Sequence, residues 1–453
     1  MTEGLGEDKS AISHEPTAFE QRVHDEALER SRRVAKRRNP DNAFMKALHK
    51  IIPYGGIVSS SFNLASTTVG AGIVALPVAF QMSGIVMSTI YLIVVAIMVV
   101  YSFALLTSVG EHTGLRSYEQ LTRTLLGRGA DYMAALCMWS LCFGGEVSYV
   151  ISIRDAIETF VKSSDATSEG LRSESSIRLL TVAIWFFFML PLCLPKEINS
   201  LRVLSASAIV FVLFFVICII INSGHFLAVN GMRDDIIYFQ SGNASINGLG
   251  IFLFVYVSQV NCFEVYEEMY KPSVRRMTVS AMAGALMSFC LYFLAGLFGY
   301  LQFGSEVNSS ILKMYNPLTD VKMGVAYVGI MFKICVGYGL HMFPCRDAVY
   351  HVIGISVHTV AWWKNALFCC AMAVASLIAG LFIPDIRMVF GLVGGLSGGF
   401  IGYVFPSLMF MYAGGFSVAG VGWGHYLGAY ALLFAGVIAI TFGTVTAVYD
   451  VIV

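Results

Sequence analysis

Four ionisable side chains stand where an apolar chain should carry none. Glu146, Glu264, Lys333 and His341 each lie well inside a long apolar block. A charge at bilayer depth costs about 2.5–3.5 kcal/mol on insertion scales, so such groups normally face a cavity or one another. Two acids against one permanent base leave a carboxylate over, for a cationic substrate or for a proton. The structural alternative is a static pair, Glu146–Lys333 or Glu264–Lys333. Imidazole titrates near neutral pH, so His341 joins Glu146 and Glu264 as a candidate proton carrier.

Polar residues also interrupt two apolar blocks. The first reads Asn63-Leu64-Ala65-Ser66-Thr67-Thr68-Val69-Gly70-Ala71-Gly72-Ile73, with Pro77 beyond it. Glycine and β-branched hydroxyl residues permit a break in a helix. Backbone groups freed at membrane depth are tolerated only inside protein or beside a watery cavity. In broken-helix carriers, such a break offers N–H groups at a half-helix N-terminus to an anionic substrate group. Ser66, Thr67, Thr68, Gly70, Ala71 and Gly72 are therefore candidate binding residues. Close helix packing through Gly70 and Gly72 is the alternative. The second interruption, Ser258-Gln259-Val260-Asn261-Cys262, falls in an aromatic-rich block and adds Ser258, Gln259 and Asn261. It takes the first place in a possible second five-helix repeat, as the other does in the first. Matching interruptions in inverted repeats point to a midplane site; the argument is positional, not one of residue identity.

These residues need helices to hold them, and composition says which kind. Of 453 residues, 57% are hydrophobic and 13% charged, against about half and a quarter in soluble domains. The chain is too apolar for a water-soluble globule. Lys+Arg and Asp+Glu balance at 29 each, so bulk charge suggests no nucleic-acid partner. A bilayer core about 30 Å thick takes about 20 apolar residues per helix. That window finds about eleven spans, near 57–80, 84–108, 131–160, 177–195, 203–223, 247–268, 278–303, 321–345, 366–383, 387–412 and 427–449. The runs are too long for strands and lack the alternation of a β-barrel. The expected fold is an all-α integral membrane protein.

Loop charges orient the bundle. With the N-terminus cytoplasmic, inner loops hold Arg116, Arg123, Arg128, Lys196, Arg202, Lys271, Arg275, Arg276, Arg346 and Lys364, and outer ones hold fewer, such as Lys162, Arg172, Arg233 and Lys313. The sequons at Asn243 and Asn308 both fall on the outer side of that topology. Residues 1–50 form an expected cytoplasmic tail ahead of a transporter domain at 51–453. Residues 1–29 read as disordered. The basic cluster at 30–38 is either a topology determinant or a contact for anionic lipid, worth about 1 kcal/mol per residue. The tail has no apolar run of the kind a cleavable leader needs. All ten cysteines fall within or at the ends of apolar blocks, read as packing residues rather than disulfide or zinc ligands. No metal or cofactor is expected.

Five landmarks in chain order carry a resemblance. Phe62-Asn63-Leu64 leading into Val69-Gly70-Ala71-Gly72-Ile73 resembles the first helix of the amino acid/auxin permease family, the eukaryotic group with eleven helices. Ser117-Tyr118-Glu119-Gln120-Leu121 resembles its loop between helices two and three, and Gly144 with Ser148-Tyr149 its third helix. Val265-Tyr266-Glu267-Glu268-Met269 with Arg275-Arg276-Met277 is similar to its sixth helix and following loop, and Phe343-Pro344-Cys345-Arg346 to the end of its eighth. Residues 51–56, Ile51-Ile52-Pro53-Tyr54-Gly55-Gly56, look most like kinetoplastid permeases. The resemblance implies a five-plus-five inverted repeat with one extra helix, broken first and sixth helices, and alternating-access transport of amino acids. It adds Tyr149 to the candidate site. It also implies doubt about sodium: Ser66 stands where sodium-coupled relatives carry asparagine, and Cys335 and Gly337 where they carry threonines. Acid at Glu146 and Glu264 would suit arginine or lysine; a proton-coupled neutral carrier stays open.

Other classes fit less well. No G-x-x-x-x-G-K-[ST] loop signals an ATPase, no repeated filter or charged ring signals a channel, and His341 has no obvious partners for an enzyme. A nutrient sensor built on the carrier fold stays open. The plasma membrane is the default location, with a lysosomal or other acidic organelle membrane as the alternative.

Overall fold

The computed structural model describes residues 53–452 apart from 165–169, 197–201, 356 and 358–359, together with residues 21, 28, 31, 32 and 35. Residues up to Tyr54 form a unit of their own. The expected tail, with its disorder and its lipid-binding cluster at 30–38, therefore lies almost wholly outside the described residues, as do Ile51 and Ile52.

From Gly55 on, the chain is helical. Its helices are α1 (Ile57–Thr68), α2 (Leu76–Thr113), α3 (Tyr118–Leu126), α4 (Arg128–Ser163), α5 (Glu174–Ile184), α6 (Arg202–Asn230), α7 (Asn243–Tyr256), α8 (Cys262–Glu268), α9 (Val274–Phe303), α10 (Val321–Ile353), α11 (Trp362–Phe382), α12 (Ile386–Leu392), α13 (Phe405–Tyr412) and α14 (Val418–Ile452). π-helical turns at Trp185–Met189, Val393–Gly398 and Phe400–Val404 extend α5 and join α12 to α13.

Among the described residues, ten stretches are long and apolar enough to cross a bilayer, where the sequence predicts about eleven. The difference lies in the first expected span, which is divided. Its first half, α1, has only 12 residues. The rest runs into the second span within the 43-residue stretch Ala71–Thr113. At 1.5 Å per residue that stretch would be about 65 Å long, twice a bilayer core, and the chain turns inside it. Gly84 adopts φ 73°, ψ 164°, a conformation that favours glycine, and a Cβ there would lie 2.9 Å from the Gln240 nitrogen.

The alternation of helices gathers the connections at two ends. At one end, Gln240 N–H donates to the Ser83 carbonyl at 3.3 Å, and Asp235 accepts from the Ser305 hydroxyl at 2.6 Å. There the last turns of α4 also meet the segment before α10, through Lys313–Asp155 at 3.0 Å and the Thr159 hydroxyl on the Leu312 carbonyl at 2.7 Å. At the other end, Glu111 closes α2 by accepting from the Tyr266 hydroxyl and from Val274 N–H, and Tyr270 N–H donates to the Gly55 carbonyl at 2.8 Å. The expected outer cations Lys162, Arg172, Arg233 and Lys313 all fall at the first end.

Large apolar side chains such as Leu179, Phe187, Val210, Val328, Leu367 and Phe434 point outward from the bundle. Water would penalise that surface and lipid does not. Helices α4, α7 and α10 and the stretch from α12 to α13 are the most buried of the spans. All ten cysteines are free; eight are buried, as packing requires, while Cys290 is exposed and Cys370 half-buried.

Candidate functional site

The interruption at residues 66–73 is a real break. Helix α1 ends at Thr68, and Val69 N–H makes the last helical bond, to the Ala65 carbonyl at 2.8 Å. Gly70 then takes φ −118°, ψ −149°, and the chain restarts as a 3-10 turn at Ala71–Ala75 that leads into α2. Pro77 sits in the first turn of α2, where its missing N–H costs nothing. The break leaves carbonyls at the end of α1 and N–H groups at the start of the 3-10 turn without helical partners, at a depth with no bulk water.

Side chains from neighbouring helices take up several of these groups. Lys333 of α10 is 1% exposed, and its Nζ donates to the Ser66 carbonyl at 2.8 Å. The Tyr292 hydroxyl of α9 lies 2.8 Å from the Thr68 carbonyl and 2.8 Å from the Val255 carbonyl. Having one proton, it serves one carbonyl at a time and ties the two interrupted helices together. The Ala71 N–H faces the Tyr149 hydroxyl. That hydroxyl fits between two backbones only because neither carries a side chain: a Cβ on Gly70 would come within 2.5 Å of it, and one on Gly337 within 2.6 Å.

The Thr67 and Thr68 hydroxyls bond back onto α1, to Leu64 at 2.9 Å and 2.7 Å, a local use common for threonine. Gly72 serves packing, since a Cβ there would meet Val255 Cγ1 at 2.2 Å. Gly70 thus stands at the break and Gly72 at a close packing contact.

The second interruption mirrors the first. Helix α7 stops at Tyr256, a 3-10 turn spans Gln259–Asn261, and α8 restarts at Cys262. Gln259 is fully buried. Its Oε1 accepts from Ser258 N–H at 3.0 Å and its Nε2 donates to the Gly402 carbonyl at 3.4 Å, pinning the break to the π-helical turn beyond α12. The Ser258 hydroxyl donates to the Tyr256 carbonyl at 3.3 Å. Asn261 precedes α8 without a side-chain cap, and Glu264 lies half-buried in the first turn of α8.

His341 lies beside this group. Its ring meets that of Tyr149 edge-on at 5.2 Å, and it packs so closely on α4 that a Cβ on Gly145 would approach it to 2.5 Å. Its Nδ1 is 3.0 Å from the Gly337 carbonyl. A carbonyl only accepts, so Nδ1 carries the proton and Nε2 is the nitrogen that can gain or lose one.

Glu146 is placed apart. It is fully buried, and neither carboxyl oxygen has a hydrogen bond within 3.5 Å among the described residues. Ser376 of α11 stands beside it, but that hydroxyl is shared with Tyr338 at 2.7 Å and the Ala373 carbonyl at 3.1 Å. The other groups around Glu146 are Cys142, Cys193, Tyr338, Cys345 and Cys369. Lys333 forms no ion pair with Glu146 or Glu264; its partner is the Ser66 carbonyl. The structure thus gathers Ser66, Gly70, Ala71, Tyr149 and His341 at the first break and Ser258 and Gln259 at the second. Sequence reasoning missed Tyr292 altogether, because one tyrosine in an apolar helix carries no signal. It noted Lys333 only as a counter-charge.

Two half-broken helices facing one another across a membrane bundle define a carrier built as a five-plus-five inverted repeat. Residues 54–449 match the family described as "Transmembrane amino acid transporter protein", and the chain belongs to that family, the amino acid/auxin permeases that its motifs resemble. It is a secondary amino acid transporter and not an enzyme. It is 26% identical over 380 residues to sodium-coupled neutral amino acid symporter 2 of Danio rerio, covering 78% of this chain and 74% of that one. It is also 26% identical over 368 residues to vacuolar amino acid transporter 5 of Schizosaccharomyces pombe, covering 79% and 84%. Among solved structures, the manganese transporter of Eremococcus coleocola in complex with an aromatic bis-isothiourea substituted compound has the same fold, with a TM-score of 0.55 at 12% identity over 91% of this chain and 88% of that one. A mutant of the same transporter matches with a TM-score of 0.54 at 13% identity over the same shares.

Proposed function

We propose that this transporter moves cationic amino acids, arginine or lysine, by alternating access, and that it is proton-coupled or facilitative rather than sodium-coupled. The observation carrying the cationic reading is that Lys333 is spent on the Ser66 carbonyl and not on an acid. Glu146 therefore keeps its charge or its proton unneutralised by Lys333 inside the bundle, and Glu264 adds a second acid on α8. The zwitterion's carboxylate would lie on the N–H groups of Ala71 and Gly72, displacing the Tyr149 hydroxyl or bonding to it. Its α-amino group would lie against the carbonyls of the two breaks that Lys333 does not occupy, near Thr67 and Thr68 and near Ser258, Gln259 and Asn261. Helix termini favour this polarity.

A proton-coupled carrier of neutral amino acids is the second reading. It is favoured by His341, whose Nδ1 is engaged by the Gly337 carbonyl while its ring touches Tyr149, and by a relative named as a neutral symporter. An amino acid sensor on the same fold, using the tail, is a third. The proposed location is the plasma membrane with the N-terminus cytoplasmic and the tail's basic cluster on anionic lipid. A relative named as vacuolar supports an organelle membrane instead. The narrower likeness of residues 51–56 to kinetoplastid permeases belongs to this proposal as well.

Uptake of labelled arginine, lysine and neutral amino acids into proteoliposomes, with and without a pH gradient, tests the reading. Arginine or lysine should accumulate, and Glu146→Gln should cut that uptake more than tenfold while leaving expression intact. If only alanine or proline moves, the cationic reading fails; if Glu146→Gln transports as well as wild type, Glu146 leaves the site.

A further inference from the structure

The Lys333 side chain has no role in the transport chemistry derived so far, yet it is buried at the most polar point of the first break. The Ser66 carbonyl would, in a continued helix, accept from the N–H of Gly70. The Gly70 backbone leaves the helix, and the Lys333 ammonium fills the vacancy at 2.8 Å. The end of α1 also carries the negative end of that helix's dipole. Half-helix ends of this kind are where broken-helix carriers hold a small cation.

We infer that Lys333 is a built-in cation for the carboxyl end of the first half-helix, doing with a tethered ammonium what a bound sodium ion would otherwise do. This rests on the carrier reading above. An ammonium matches a monovalent metal in charge and offers three N–H donors to oxygens, so a carbonyl end satisfied by Lys333 needs no ion from solution. No ion pair holds Lys333 elsewhere among the described residues. On its own helix the basic His341 follows eight residues on, about two turns along α10. The positive charge is therefore directed at the α1 carbonyls and not neutralised by an acid. A sodium ion at the same carbonyl would meet the repulsion of a fixed like charge. Lys333 thereby acts as a positioning residue that sets the angle of α1 at the break and makes transport independent of sodium.

The test compares uptake of labelled amino acids into proteoliposomes in sodium chloride and in choline chloride. Wild-type flux should agree within twofold in the two salts. Lys333→Ala, which vacates the carbonyl, should lose at least tenfold in choline and recover at least threefold when sodium is supplied; Lys333→Arg should keep more flux than Lys333→Ala in choline. A merely structural lysine would lower flux equally in both salts, and that result overturns the inference, as does wild-type flux that rises tenfold with sodium. If Lys333→Ala does not give a monodisperse protein, melting of the wild-type protein across a sodium titration decides: an unchanged midpoint supports the inference and a saturable rise overturns it. Sodium-driven amino acid flux would leave the carrier reading standing and remove only the role of Lys333. A wild-type protein that moves no amino acid in either salt would remove both.

Discussion

Gly70 and Tyr149 make a pair whose coupling can be worked from distances. A Cβ added at Gly70 would lie 2.5 Å from the Tyr149 hydroxyl oxygen, with the next atom, Cζ, at 3.5 Å. The first distance is a clash and the second an ordinary contact, so the obstruction to Gly70→Ala is a single oxygen atom. Overpacking by one methyl typically costs about 1–3 kcal/mol. Tyr149→Phe deletes the oxygen, and with it the group that the Ala71 N–H faces, at about 1–3 kcal/mol. In the double variant the clash no longer exists. It should be about 1–2 kcal/mol more stable than the sum of the single effects, well above the roughly 0.5 kcal/mol within which independent sites add. Melting midpoints of the detergent-solubilised protein measure this, with arginine added to show whether the break still binds. Additive single effects would mean that the hydroxyl is not seated on Gly70, and would refute the geometry from which the carboxylate position is drawn.

Gly337→Ala should be worse than Gly70→Ala and should not be rescued by Tyr149→Phe, because the ring carbons Cζ and Cε1 lie 2.7 and 2.9 Å from the new Cβ; rescue in a melting assay would contradict this. Tyr292→Phe should destabilise the protein by about 1–3 kcal/mol, the cost of a buried carbonyl left without a donor, and slow transport by loosening both breaks; wild-type melting and flux would rule out the bridge. At the connection between α6 and α7, hydrogen bonds from Arg233 and then from Ser305 hold the Asp235 carboxyl well below the usual carboxylate range. A carboxyl with a lowered folded-state pKa stabilises the fold fully above its unfolded value of about 4 and loses that contribution as pH falls. Melting midpoints should therefore drop below about pH 4 in wild type and drop less in Asp235→Asn; parallel pH curves for the two would remove Asp235 from the account.

The breaks were legible in the sequence because they depend on residue type. Thr67-Thr68-Val69-Gly70-Ala71-Gly72 and Ser258-Gln259-Val260-Asn261 are poor helix interiors within apolar blocks, and both are interrupted in the structure. The spans were legible by length and hydropathy. Side-chain direction was not, because no apolar periodicity marks a helix buried on all sides. Glu146 and Tyr149 are three residues apart, yet Glu146 turns to Ser376 and the cysteines while Tyr149 turns to Gly70. Threonine hydroxyls that a sequence offers to a substrate bond back to Leu64, because a local acceptor is always within reach. The Lys333–Ser66 contact joins residues 267 apart in the chain and pairs a side chain with a carbonyl, so no reading of charge patterns could find it.

The most direct measurement is a density map of the protein with its amino acid bound. The substrate's α-carboxylate should lie within about 3 Å of the N–H groups of Ala71 and Gly72, with the Tyr149 hydroxyl moved off Ala71 or bonded to the ligand. A continuous helix through residues 66–73, or a substrate lodged elsewhere while that stretch stays packed and dry, would contradict the account.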